Sequence, residues 1–366
     1  MRGPGGCPVT ASPVSLALPG GPAGYAALGR SGLPVTRMGF GGAALGGLFR
    51  PVGAATAEGA VRAAWEAGVR YFDTAPHYGA GLSEERLGAA LAGVPRDAFT
   101  ISTKVGRVLA DADPNAGVPQ GGDGGEFAVG RDRARVRDYS RGGVLRSLEG
   151  SLHRLRVDRV DVLYVHDPDD HWEQAAGEAF PALARLRDEG VVKAIGIAMN
   201  DAAMLTRFVA ETDPDVVLCA GRCSLLDGGA QRELFPLCER RGVAVVAAGV
   251  FNSGILADPR PGAYYDYRRA PERSVARAQR IAAVCETHGV PLPAAALAWP
   301  ARHPAVASVL VGMRSAAEVT TDVRLAGTEV PEELWRDLAA AGLLPGGPAN
   351  AHGPGLHRRS GAGPMR

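Results

Sequence analysis

Short runs of Val, Ile, Leu and Ala, each too brief for a helix, alternate along this chain with longer stretches whose apolar positions recur at helical spacing. Runs at 37–40, 69–72, 99–103, 160–165, 191–197, 216–219, 243–248 and 306–311 predict eight strands. Stretches at 56–67, 83–91, 142–156, 174–189, 202–211, 229–241, 274–288 and 315–326 predict a helix after each strand. In 142–156, for example, Val144, Leu145, Leu148, Leu152 and Leu155 form one stripe. Thr56 and Ser83 read as N-caps, and Gly68 as a helix stop. The strands are short, apolar and rich in Val and Ile, as expected where both faces of a parallel sheet are buried. Eight strand–helix units in one chain predict an α/β fold, a single-domain (β/α)8 TIM barrel over residues 28–344. Residues 28–35 read as a hairpin plugging its bottom, and a late helix at 332–341 as a cover for one face.

The remaining stretches break this rhythm. Residues 1–27 and 345–366 are rich in Gly and Pro and read as flexible extensions. Two connections are long: 105–141, with Gly121, Gly122, Gly124 and Gly125, and 251–273, with Tyr264, Tyr265 and Tyr267. On a barrel both leave the C-terminal face of the sheet, where substrates bind. The glycines at 39, 41, 42, 46 and 47 do not make a dinucleotide fingerprint opening a helix; they let a ligand approach the backbone closely.

Composition narrows the function. A net charge of +1 carries no footprint for nucleic acid or a membrane surface. No apolar run approaches the roughly 20 residues of a bilayer span. The five cysteines are odd in number and irregularly spaced, which predicts reduced thiols in the cytoplasm. Cys219 and Cys223 lack a second ligand pair, so no metal is expected.

The chemistry is concentrated where strands turn polar. Asp73 ends the second strand and Tyr78 follows it; Lys104 ends the third and His166 the fourth. Neighbouring strands lie about 4.8 Å apart, so these four side chains can converge over the barrel mouth. A phenol with a pKa near 10 exchanges protons poorly at neutral pH. An ammonium beside it lowers that pKa, a carboxylate keeps the ammonium charged, and a histidine orients a hydroxyl or carbonyl. This is acid–base chemistry at a C–OH/C=O centre. His77, beside Tyr78, reads as structural or peripheral.

The run 73–79, with Lys104 and His166 each after an apolar strand, resembles the aldo-keto reductases. The resemblance implies a catalytic tetrad of Asp73, Tyr78, Lys104 and His166 and a nicotinamide dinucleotide extended across the C-terminal face. It also implies cofactor contacts at Gly41, at Asn200 after strand five, and at Phe251, Asn252, Ser253 and Gly254 after strand seven. After strand eight it adds Gly312, Arg314 and Ser315, with Glu318 and Asp322 near the adenine. Ala248 stands near the place of the family's stacking tyrosine, and Met313 replaces a lysine suited to a 2′-phosphate, so NAD is favoured over NADP. The segments 166–173, 138–141 and 252–256 resemble the sugar-oxidising members, the L-fucose and D-threo-aldose 1-dehydrogenases, with pyridoxal 4-dehydrogenase close by. Cys223 and Gly142 depart from that pattern.

The expected activity is therefore NAD(P)-dependent oxidation of an aldose at C1 to the lactone, with Tyr78 as the general base. The alternatives are reduction of aldehydes or ketones with NADPH, or pyridoxal oxidation, on the same site. A nucleotide-sensing subunit without turnover is the rival from another class. The expected partner is a small sugar or carbonyl compound, bound by a monomer or homodimer.

Overall fold

The computed structural model describes residues 14–111, 126–128 and 133–345. Eight parallel strands close into a barrel: β1 (Met38–Gly41), β2 (Tyr71–Asp73), β3 (Thr100–Val105), β4 (Val162–His166), β5 (Ala194–Met199), β6 (Val216–Ala220), β7 (Ala244–Ala248) and β8 (Val306–Gly312). Closure is between β8 and β1, where Val309 pairs with Met38 and Gly312 with Gly41. All eight strands are those the apolar runs predict, shifted by at most three residues at their ends.

Two apolar layers hold this shape. The larger lies between the strands and the surrounding helices and includes Phe40, Phe72, Ile101, Val165, Ile197 and Phe208. The smaller fills the barrel itself with Tyr71, Tyr164, Leu218, Val246 and Leu310. Leu28, Leu33 and Val35 enter this inner layer from below. They belong to a hairpin of Tyr25–Ala27 paired with Pro34–Thr36, the expected plug.

Several local expectations fail for identifiable reasons. Thr56 lies inside the helix Ala54–Glu66, which Gly53 precedes. Ser83 lies inside the helix Leu82–Ala90; its hydroxyl instead bonds the Gly42 carbonyl at 2.7 Å and the Thr74 hydroxyl at 2.8 Å. The 142–156 helix is Arg141–Leu155, capped by Ser140, with Leu145 exposed. The helix Leu292–Ala301 was not predicted, so two helices separate β7 from β8. It is apolar nearly all round and carries no periodic signal. The N-terminal extension is also shorter than expected, since Val14–Leu16 pairs antiparallel with Glu329–Pro331.

Both long connections contain hairpins. Arg107–Asp111 pairs with Arg133–Arg137 directly after β3. Tyr264–Tyr265 pairs with Arg268–Arg269 after β7. Gly121, Gly122, Gly124 and Gly125 lie outside the described residues, as do Cys7 and the tail 346–366. Cys219, Cys223, Cys238 and Cys285 are buried free thiols. Among the described residues no single helix is long and apolar enough to cross a membrane, although one bent pair, Glu272–Thr287 with Leu292–Ala301, passes by length and composition alone.

Candidate active site

The barrel register brings the polar strand ends together. Asp73 is paired with Ser102 across β2 and β3, and Lys104 with Tyr164 across β3 and β4. Lys104 and Asp73, each 1% exposed, form an ion pair at 2.6 Å. The ammonium also donates to the Thr74 carbonyl at 2.8 Å, and Ser102 Oγ donates to the other Asp73 oxygen at 2.7 Å. Ser102 in turn lies 3.2 Å from the Tyr71 hydroxyl, which lies 3.1 Å from that of Tyr164. Both buried charges are thus satisfied, the condition under which such a pair is tolerated in a core. Burial pushes the Asp73 carboxyl upward, opposed by Lys104 and Ser102.

Tyr78 is placed by a backbone crossing. Gly79 has φ +61°, and a Cβ there would lie 2.4 Å from the Gly46 carbonyl oxygen. Only glycine lets the two loops touch, and their contact fixes the Tyr78 ring over the mouth. The Lys104 ammonium lies 4.7 Å from the centre of that ring, and the His166 ring meets it edge-on at 5.9 Å. The four strand-end residues therefore converge as expected.

The electrostatics differ from the expectation in one respect. The Tyr78 phenol is held well above its ordinary pKa, first by burial and then by the Asp73 charge; the cation opposing this is Arg107. Lys104 is ion-paired with Asp73 at 2.6 Å and lies against the ring. The His166 imidazole is held well below its ordinary pKa by burial and by Arg107 and Lys104, so it is neutral at physiological pH. The site thus contains a protonated phenol and a neutral imidazole: the phenol can give its proton to a carbonyl oxygen, and takes one from a hydroxyl only after it has lost its own.

Of the two readings of His77, structural or peripheral, its packing matches the structural one. It is 5% exposed, its Nε2 lies 3.0 Å from Glu126 Oε1, and its ring packs edge-on against His166 at 5.7 Å and Phe127 at 5.3 Å. Phe127 is bridged to Leu48, so a piece of the β3 connection closes over the loop after β1. Phe49, at the end of that loop, meets Tyr264 at 5.6 Å and Tyr267 at 6.0 Å. An aromatic rim of Phe49, Phe127, Tyr264 and Tyr267 therefore surrounds a polar floor. Nothing in the sequence marks Ser102, Arg107 or Glu126: Ser102 sits two residues before Lys104 in a strand that also holds Thr100 and Thr103.

The residues expected to meet a dinucleotide follow the same face around the barrel. Gly41 and Gly312 are paired at the ends of β1 and β8, with no atom closer than 4.0 Å to a Cβ built on Gly312. Asn200 follows β5, and its carbonyl accepts from Arg222 Nε at 2.7 Å. After β7, Asn252 and Ser253 both have positive φ, and Asn252 is buried with its Oδ1 unpartnered among the described residues. Phe251 packs half-buried on the core, and Ser253 and Gly254 line a cleft of about 260 Å³ with Tyr264 and Arg269. Ser315 caps the helix Ala316–Ala326. The Glu318 carboxylate accepts from the Arg314 backbone at 3.0 Å and pairs with its guanidinium at 3.2 Å. Burial and the Glu318 charge raise the Asp322 carboxyl to about 7. An orphaned amide oxygen, open glycines and a capped helix N-terminus fit a dinucleotide.

The model of the Aldo/keto reductase family matches residues 37–342. The chain belongs to this family. It is 45% identical to a D-threo-aldose 1-dehydrogenase of a Pseudomonas species over 86% of this chain and 96% of that one. It is 42% identical to a pyridoxal 4-dehydrogenase of Microbacterium luteolum over 87% and 97% of the two chains. Its fold is that of an aldo-keto reductase from Bacillus halodurans in a holo form, with a TM-score of 0.67, 24% identity, and coverage of 87% of this chain and 96% of that one. The protein is an aldo-keto reductase and an oxidoreductase, using a nicotinamide dinucleotide.

Proposed function

We propose that this aldo-keto reductase oxidises an aldose at its anomeric carbon to the lactone, with NAD as the acceptor. The observation that carries this reading is the Tyr78 phenol over a buried Lys104–Asp73 pair, beside a neutral His166. It occurs in a chain 45% identical to a D-threo-aldose 1-dehydrogenase. His166 accepts or donates a hydrogen bond at the C1 oxygen and holds the sugar in place. Tyr78 takes the C1 hydroxyl proton, and the C1–O bond becomes the lactone carbonyl. When bound, the nicotinamide supplies the hydride acceptor, receiving the C1 hydrogen with its electron pair. Gly41, Asn200, Phe251, Asn252, Ser253, Gly254, Gly312, Arg314 and Ser315 would hold the dinucleotide. The reduced thiols suit a cytoplasmic setting.

The raised Tyr78 pKa gives a pH test with a definite sign. Oxidation needs the phenolate, so kcat/KM for the sugar should rise steadily from pH 7 to pH 10. Reduction needs the phenol, so its rate should stay level over the same range and fall only beyond it. An oxidation rate independent of pH above 7 would remove Tyr78 as the base. The same raised pKa favours a second reading, a reductase of aldehydes or ketones. The aromatic rim favours pyridoxal as an alternative flat substrate, as does the 42% identity to a pyridoxal 4-dehydrogenase.

Cofactor choice rests on Glu318. Its carboxylate holds the Arg314 guanidinium, and Asp322 lies within its electrostatic reach, so a 2′-phosphate would enter a site with acidic groups already in place. Glu318→Gln should free Arg314 for a phosphate and raise kcat/KM with NADP relative to NAD by about 10-fold. An unchanged ratio in steady-state assays would show that Glu318 does not set the preference.

A further inference from the structure

The 138–141 segment, singled out in the sequence for its likeness to sugar-oxidising enzymes, has a definite place in the structure. Tyr139 is fully buried, and its hydroxyl lies 2.7 Å from the His166 carbonyl oxygen and 2.6 Å from that of Asp167. One phenolic proton is thus shared between two consecutive carbonyls. Arg107, 3% exposed, donates to the same His166 carbonyl at 3.3 Å and to Asp167 Oδ2 at 3.2 Å. That carboxylate oxygen lies 3.4 Å from His166 Nε2. Between them Asp167 has φ +40°, a conformation disfavoured for a residue with a side chain. Such strain persists only where the surroundings over-determine it.

Arg107 opens the first strand of one hairpin and Tyr139 lies just past the end of its second. Gly106 has φ +107°, and a Cβ there would lie 2.3 Å from the Tyr139 ring. Glycine at 106 is therefore what lets the ring lie across the end of β3. The backbone N–H of Asp138 donates to the Gly106 carbonyl at 3.1 Å, closing the hairpin base. Gln174 Oε1 accepts from the Tyr139 backbone at 3.2 Å, and the His171 ring packs on the Tyr139 ring at 5.2 Å.

We propose that Arg107 and Tyr139 are positioning residues that hold the strained His166–Asp167 turn, so that the His166 imidazole and the Asp167 carboxylate face substrate beside Tyr78. The proposal rests on the reading of Tyr78 and His166 as the reacting pair. Tyr139 acts through geometry alone. Arg107 acts through geometry and charge, because its guanidinium lies within reach of both reacting groups. The charged and titratable groups around His166 include Arg107, Lys104, His77, Arg137, Asp167, Tyr78 and Tyr139. Those around Tyr78 include Asp73, Asp167, Arg107, Glu126, Tyr267, His77, His166 and Lys104, the last against its ring. Removing the Arg107 charge lets the phenol pKa rise further and the imidazole pKa rise toward its ordinary value.

The test uses the full chain and three variants, Tyr139→Phe, Arg107→Gln and Arg107→Lys. Tyr139→Phe keeps the buried ring and should lower kcat for the sugar by about 10- to 100-fold, the range expected when a reacting group is misplaced. NADH binding, followed by nicotinamide fluorescence, should be unchanged. Arg107→Gln should move the alkaline limb of the oxidation profile to higher pH, and Arg107→Lys should bring it back toward the wild type. A second readout needs no substrate: the His166 imidazole, followed by NMR during a pH titration, should titrate at higher pH in Arg107→Gln than in the wild type. Wild-type kcat in Tyr139→Phe, or superimposable titrations of His166 in Arg107→Gln and wild type, would overturn the clamp. If Arg107→Gln does not fold, Tyr139→Phe and Arg107→Lys decide the matter alone. An enzyme inactive on sugars whose His166 titration still shifts would contradict the substrate assignment and leave the clamp standing.

Discussion

Replacing Tyr78 with phenylalanine should reduce turnover by about 10²- to 10⁴-fold, the usual contribution of a positioned general acid or base, while leaving the fold and dinucleotide binding intact. The change deletes one oxygen. The ring still rests over the Lys104 ammonium, 4.7 Å from its centre, and still meets His166 edge-on. The Gly46–Gly79 crossing that places it is untouched. The loss should appear equally in both reaction directions, because the same hydroxyl gives the proton in one and takes it in the other. Steady-state assays with fluorescence titration of NADH check both halves. A variant with near wild-type turnover would show that the proton goes elsewhere.

Breaking the ion pair beneath Tyr78 should cost both stability and activity. Lys104→Met leaves Asp73 in an apolar barrel with Ser102 as its remaining bonded partner. Removing one member of a buried pair typically costs about 3–5 kcal/mol, because the other is left uncompensated. Asp73→Asn leaves the ammonium with neutral acceptors, the Thr74 carbonyl among them, and no counter-charge, and should cost a similar amount. Replacing both, as Asp73→Leu with Lys104→Met, should recover part of the stability but none of the activity. Urea unfolding midpoints separate the two effects. A Lys104→Met variant as stable as the wild type would mean the pair is open to water, contrary to its burial.

The pair also explains why the site was legible in the sequence. Asp73, Lys104 and His166 each end or nearly end an apolar run, and a charged residue at the end of a buried parallel strand has few places to point other than the barrel mouth. The barrel was legible for the same reason, since eight buried strands leave eight apolar runs. What stayed hidden depends on long-range packing. Ser83 resembles a helix cap but spends its hydroxyl on Gly42 and Thr74. The helix Leu292–Ala301 is buried on nearly every side, so no period marks it. Arg107 looks like a surface charge at a strand exit, and only the fold places it on His166 and Asp167. The direction of the Tyr78 shift is likewise out of reach of the sequence, because it turns on burial and on how near the Asp73 charge lies.

His77 illustrates the limit from the other side. Its neighbour Tyr78 drew attention as the proton donor, and a histidine one position away in a turn carries no pattern of its own. In the fold it links Glu126 to the ring of His166. The segment 126–128 is held against it by the Phe127–Leu48 bridge and by backbone bonds from Phe49 to Glu126 at 2.9 Å and from Ala128 to Gly47 at 3.0 Å.

The central claim is that C1 of an aldose gives up its hydrogen as hydride while Tyr78 handles the proton. It is tested most directly by incubating the enzyme with NAD and L-fucose or a D-threo-aldose carrying deuterium at C1, then analysing both products by mass spectrometry. The account predicts deuterated NADH and an unlabelled lactone in equal amounts, with Tyr78→Phe forming neither at an appreciable rate. Deuterium remaining in the sugar, or turnover confined to pyridoxal or simple carbonyl compounds, would contradict it.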